Sequence, residues 1–156
     1  MAKPASNYRP DDVGTVTPYL TIKGAAKAID FYKKAFDAKE TARMAGPDGL
    51  IGHASLHIGD STIYLCDEMM GAKAPPTIGG TPVTLHMYFK DCDAVFNQAV
   101  AAGAKVRMPM ADQFWGDRFG QVEDPFGHCW SIATQKEDLT SEEVTERAKT
   151  AMQNMG

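Results

Sequence analysis

An internal duplication restricts the fold of this chain more than any other feature. Val16-Thr17 heads an alternating segment, and Val83-Thr84 heads a second one. In residues 16–23 the apolar Val16, Pro18, Leu20 and Ile22 alternate with Thr17, Tyr19 and Thr21, the period of a strand with one apolar face. Residues 25–36 then place Ala28, Ile29, Tyr32, Ala35 and Phe36 at helical spacing. Short strands are expected at 40–44, 50–58 and 62–67, joined by the turn formers Gly46-Pro47-Asp48-Gly49 and Gly59-Asp60. After a Pro- and Gly-rich linker at 72–82 the order returns. A strand runs from Val83, a helix spans 91–102 with Asp91 or Asp93 as its cap, and strands follow near 106–111, 118–123 and 128–134. Two βαβββ units in one chain are an architectural signal in themselves. The expected organisation is a tail at 1–12, a first module at 13–71, the linker, a second module at 83–138 and a helical tail at 139–156 capped by Thr140 or Ser141.

Bulk properties narrow the function classes. The 156 residues carry a net charge of −4 with Lys and Arg scattered singly, so there is no electrostatic footprint for nucleic acid. No apolar run approaches the ~20 residues of a membrane span, and residues 1–10 lack the apolar core of a secretory signal. Three widely spaced cysteines, Cys66, Cys92 and Cys129, suit reduced thiols rather than a disulfide framework. A cytoplasmic protein acting on a small molecule, or on a second copy of itself, is expected.

The stretch Asp124-Pro125-Phe126-Gly127-His128-Cys129-Trp130 sets a histidine and a cysteine beside an acid. Its Pro and Gly are turn chemistry, with His128 opening a strand and Trp130 and Ile132 on that strand's apolar face. No basic cluster adjoins Cys129 to make it a nucleophile. The stretch therefore reads as a turn feeding a buried strand, not as a reactive centre.

Taken together, Pro18-Tyr19-Leu20, the helix Ala28-Ile29-Asp30-Phe31-Tyr32-Lys33-Lys34-Ala35-Phe36, Gly116-Asp117-Arg118 and the Asp124–His128 turn with Trp130 resemble the vicinal oxygen chelate superfamily. That superfamily includes glyoxalase I, the bleomycin resistance proteins and extradiol dioxygenases, and the similarity is greatest to its PhnB-like branch. The resemblance covers about 13–138. It implies an α+β fold of two βαβββ modules forming a curved mixed sheet around a cavity, helices on the convex side, and a homodimer. In the metal-dependent members four ligands stand on the concave face, at positions that fall here on Thr17, Tyr64, Thr84 and Ser131. Hydroxyls and a phenol do not make a divalent-ion site, so no metal and no other cofactor is expected. A substitute ion site would need His86 with His53 or His57 and a carboxylate. His53 and His57 alone, four residues apart on one strand, lie about 13 Å from each other.

By alternation the concave face receives Thr17, Tyr19, Thr21, His53, Ser55, His57, Thr62, Tyr64, Thr84, His86, Tyr88 and Ser131, with no Lys or Glu among them. Tyr and His pair an apolar body with a hydrogen-bonding tip, which suits a pocket for a flat, partly polar organic ligand. Phe114 and Trp115 either close such a pocket or anchor a dimer. Arg118 either pairs with Asp117 or grips a ligand carboxylate. Two function classes follow. One is a binding protein for an aromatic or amphipathic metabolite or antibiotic; the other is an enzyme on the same scaffold, lyase- or dioxygenase-like, using His86, His57, Tyr64 or a cryptic divalent metal.

Overall fold

The computed structural model describes residues 1–155 and divides them between Ile78 and Gly79 into two compact units. In the first unit β1 (Tyr19–Ile22), α1 (Ala25–Phe36), β2 (Lys39–Ala45), β3 (Ile51–Ile58) and β4 (Ser61–Asp67) precede α2, a single turn at Pro75–Ile78. The second unit repeats the order with β5 (Thr84–Tyr88), α3 (Cys92–Ala102), β6 (Lys105–Asp112), β7 (Asp117–Glu123) and β8 (Cys129–Gln135), and ends in α4 (Ser141–Gln153). The sheets have matching orders, β1-β4-β3-β2 and β5-β8-β7-β6. In each, the first and last strands pair in parallel and the remaining pairs are antiparallel. This is the α+β, twice-repeated βαβββ architecture expected from the duplication.

Each helix covers one face of its own sheet. Leu20, Ile22, Leu56, Ile63 and Leu65 are buried on the α1 side, together with Ile29, Tyr32 and Phe36 of the helix. In the second unit Val122, Trp130 and Ile132 are buried on the α3 side with Phe96 and Ala99. Burying such side chains stabilises by about 1.5–3 kcal/mol each, so the alternation determines which face is sealed and which is left open.

The helix starts show how the repeats diverged. Gly24, with φ 95°, precedes α1 and has no side chain to cap it. Its donors are met from the end of β4, where Asp67, 5% exposed, accepts from the amides of Gly24 (3.1 Å), Ala25 (2.9 Å) and Ile51 (2.7 Å). α3 instead uses its own Asp91, which accepts from the Ala94 amide, while Thr134 on β8 takes the Cys92 amide. Asp67 and Thr134 occupy equivalent places in the two repeats, one a charged cap and one a neutral cap.

Two local expectations need correction. The first strand begins at Tyr19, not at Val16, and Val16 is 86% exposed. Pro18 has no amide proton to give to the ladder; only its carbonyl joins, accepting from the Tyr64 amide at 2.9 Å. The segment 72–82 is not a bare linker, because it contains α2, anchored where Glu68 accepts from the Ala74 amide and the Thr77 hydroxyl. Of the alternative caps offered for the helices, Asp91 serves α3 and Thr140 serves α4.

The buried carboxylate of Asp67 yields a prediction. Asp67→Asn keeps the shape but turns an NH2 toward amide donors, and should lower the unfolding free energy by about 1–3 kcal/mol in urea melts. Asp60→Asn, in an exposed turn, should leave the midpoint unchanged. Equal midpoints for the two variants would contradict this role.

Candidate functional site

On the open face of the first unit the strand register sets Tyr19 level with Tyr64 and Tyr64 level with Ser55. Tyr19, His53 and Tyr64 form a ring cluster with centroids 5.5 Å (Tyr19–His53), 5.6 Å (Tyr19–Tyr64) and 4.8 Å (His53–Tyr64) apart, all edge-to-face. The Tyr19 hydroxyl lies 2.7 Å from His53 Nδ1. His57 and Thr62 share the next level. Both are held by the chain ahead of β1: His57 Nε2 donates to Asp12 Oδ2 (2.9 Å), and the Thr62 hydroxyl donates to the Asp12 carbonyl (2.6 Å). Burial, with Cys66 and Tyr64 adding to it, pushes the Tyr19 phenol above its ordinary range.

The second unit carries a related but different row. His86 pairs with Ser131 and Ser131 with Gln121, whose amide nitrogen donates to the Ser131 hydroxyl at 3.1 Å. One level along, Tyr88 and Phe119 flank Ala133. The His86 ring stands 4.9 Å from Tyr88 and stacks at 27° on Phe119, 6.0 Å away. Trp115 packs on Phe119 (5.6 Å) and Phe114 on Trp115 (5.1 Å), which extends one aromatic wall from the β6–β7 loop to β5. That loop is fixed at Gly116, φ 98°, whose carbonyl accepts from the Lys136 and Glu137 amides; a Cβ there would sit 2.9 Å from the Glu137 carbonyl oxygen. Thr84 lies exposed at the start of β5, whereas Ser131 is 2% exposed.

Several expected site residues lie elsewhere or have other partners. Arg118 has the opposite parity to Asp117 and Phe119, and its guanidinium turns toward α3. There it grips Asp93 with two bonds (2.7 and 3.0 Å) and reaches Asp112 at 3.2 Å, so its partner is not Asp117. Asp117 is 6% exposed and accepts from the Tyr88 hydroxyl at 2.8 Å, a bond that raises the Tyr88 pKa. A cleft of about 590 Å³ beside Arg118 is lined by Asp93, Asp112, Asp117, Lys136 and Glu137. Arg118 is engaged there with Asp93 and Asp112, Asp117 with the Tyr88 hydroxyl, and Glu137 with Arg147 at 2.8 and 2.9 Å. Thr17 precedes β1 rather than lying within it.

The sequence reading missed Phe119, Gln121 and Glu123, which β7 adds to the open face. The same alternation, applied to residues 117–123, points to them. The face is also not free of charge, because Glu123 is there and pairs with Arg107.

The closing turn is built from one carboxylate. Asp124, 3% exposed, accepts from the amides of Phe126 (2.9 Å) and His128 (3.0 Å) and from the Trp130 indole (2.9 Å), with Gly127 at φ 93°. Burial raises the Cys129 pKa, which keeps its thiol protonated. Among the described residues no three His, Cys, Asp or Glu side chains are grouped so as to hold a metal ion. The positions that the resemblance assigns to ligands offer the neutral oxygens of Thr17, Tyr64, Thr84 and Ser131, and Ser131 is already hydrogen-bonded to Gln121. These donors do not fit the family's divalent ion.

The Arg118 fork holds the Asp93 carboxyl below its usual range. A depressed folded-state pKa means that the pair adds stability above the unfolded value of about 4 and loses it as pH falls through the folded one. Asp93→Asn should therefore lower the urea midpoint at pH 7, with the gap from the parent chain closing below about pH 4. A gap that does not narrow at all between about pH 5 and the lowest pH at which both chains stay folded would contradict the pairing.

Comparison with known proteins places this geometry. Residues 13–132 match the family model for the Glyoxalase/Bleomycin resistance protein/Dioxygenase superfamily. An uncharacterized protein of Mycobacterium tuberculosis is 47% identical over 134 residues, covering 83% of this chain and 79% of that one. The crystal structure of TioX from Micromonospora sp. ML1 superposes with TM-score 0.63 at 24% identity, over 81% of this chain and all (100%) of that chain. The PhnB protein from Bacillus cereus superposes with TM-score 0.61 at 18% identity, over 78% of this chain and 99% of that one. These two structures share the fold. With its duplicated sheets and the matched span, the chain belongs to the Glyoxalase/Bleomycin resistance protein/Dioxygenase superfamily.

Proposed function

We propose that this protein binds a small aromatic or amphipathic organic molecule, without a metal, on the open sheet face. It acts in the cytoplasm as a homodimer, and no membrane or nucleic acid takes part. The observation that carries this reading is the surface of the second unit, where the rings of His86, Tyr88, Phe119 and Trp115 adjoin the Gln121–Ser131 hydrogen bond. Rings supply flat apolar area, and the amide and hydroxyl supply direction, the usual division of labour in a small-molecule site.

Three further features support it. Neutral hydroxyls at the family's ligand positions favour binding that needs no ion. Tyr19, Tyr64, His53, Ser55 and His57 give the first unit a face of similar chemistry, with Thr17 at the approach to β1. Exposed large side chains are also found on these faces, notably Tyr19 (52%) and Tyr88 (61%), as ligand or partner contacts would be. Arg118 is left out of the site, because Asp93 and Asp112 already occupy its donors. No helix among the described residues is long and apolar enough to cross a membrane.

A panel of uncharged aromatic compounds, 1-naphthol among them, should raise Tm in proportion to the logarithm of concentration. Trp115→Ala should weaken that binding about tenfold or more, as loss of a stacking anchor does. Sedimentation should give a dimer. The absence of any Tm shift across the panel, or a turnover abolished by chelator, would overturn the reading.

A further inference from the structure

We propose that the Tyr19 hydroxyl is a ligand contact whose hydrogen-bond polarity reverses with the protonation state of His53, accepting from a ligand when the imidazole is neutral and donating to it when the imidazole is charged. The inference rests on reading the open face as the binding surface, and it gives that surface a selectivity between donor and acceptor ligands.

The geometry is a single short contact. Tyr19 Oη and His53 Nδ1 are 2.7 Å apart, so one proton lies between them. The two groups differ in which can supply it. With a neutral imidazole the phenol is the stronger acid, and it donates to a bare Nδ1. Its only proton is then used, and only lone pairs face outward. A charged imidazole carries a proton on both nitrogens and must donate through Nδ1. The phenol oxygen then accepts, and its own proton turns away from the histidine. Tyr19 is on the edge strand β1 and 52% exposed, so the direction left over is the open one.

Two conditions must hold, and both are met. First, the phenol must keep its proton throughout; burial, Cys66 and Tyr64 all push its ionisation upward. Second, no permanent charge should fix the state of the pair. Around it on the same face are Tyr64 of β4, Cys66 of the same strand and Met44 of β2, which is paired with His53. None of these is a carboxylate, an ammonium or a guanidinium. The charged Asp12 and Lys39 belong to the level of His57, at the other end of the face. Histidine takes up its second proton within the pH range in which proteins stay folded, so both states are within reach.

The second unit is the internal contrast. His86 occupies the place equivalent to Tyr19, and the hydrogen bond in its row runs from Gln121 to Ser131. Neither member titrates, so the polarity there is constant.

The test uses the full chain and two probes that do not ionise between pH 5.5 and 8.5: indole, which offers only an N–H donor, and acetophenone, which offers only a carbonyl acceptor. Affinities are read from the Tyr19 and Tyr64 ring resonances. The preference for indole over acetophenone should fall about five-fold or more from pH 8.5 to pH 5.5, the value of one hydrogen bond exchanged. In Tyr19→Phe it should stay constant. Long-range proton–nitrogen spectra of neutral His53 should show the proton on Nε2. A constant preference in the parent chain, or a neutral His53 protonated on Nδ1, overturns the switch while leaving the binding face standing. Failure of both probes to move either ring at any pH overturns the binding face, and the switch with it.

Discussion

Everything functional in this chain depends on the two-residue period of its strands acting against a helix that seals one side. α1 and α3 take the alternate residues Leu20, Ile22, Leu56 and Val122, Trp130, Ile132, and burial of those side chains commits their neighbours in sequence to the other face. A slip of one residue would send Tyr19 and Tyr64 into the α1 core and expose Leu20 and Leu65. The chemistry of the open face is thus determined by the hydrophobic core, because the core sets the register. Buried carboxylates then lock the ends. Asp67 joins β4 to the start of α1 and to β3, and Asp124 joins its turn to Trp130.

The duplication has kept positions and changed residues. Thr17 corresponds to Thr84, Tyr19 to His86, Tyr64 to Ser131 and Asp67 to Thr134. The last three pairs hold the same place in their sheets and differ in charge, size or titration, whereas Thr17 precedes β1 and Thr84 opens β5. The first unit offers phenols and imidazoles packed edge-to-face; the second offers a stacked aromatic wall beside an amide and a buried hydroxyl.

How far this was legible in the sequence follows from which interactions are local. The duplicated order of elements and the sealed faces were legible, since periodicity reports them directly. The Asp124–Trp130 stretch read correctly as a turn because Pro125 and Gly127 are local signals. Contacts between distant segments were not legible: Asp12 reaching His57, or Asp67 capping a helix 42 residues away, leaves no mark in spacing. For Arg118 the sequence offers a pair with Asp117 or a grip on a ligand carboxylate, but adjacent residues on a strand point to opposite faces, and Asp93 of α3 lies on the Arg118 side. Gln121 and Phe119 were legible in principle, because the two-residue period of β7 puts them on the open face.

The central claim is that ligand recognition belongs to the open face. Its most direct test is chemical-shift mapping of the full chain on titration with 1-naphthol. The account predicts that the largest changes fall on His86, Phe119, Gln121 and Ser131, with the helix-side residues Phe96, Ala99 and Ile132 unmoved. Changes concentrated instead on α3, or on the cleft around Arg118, would contradict it.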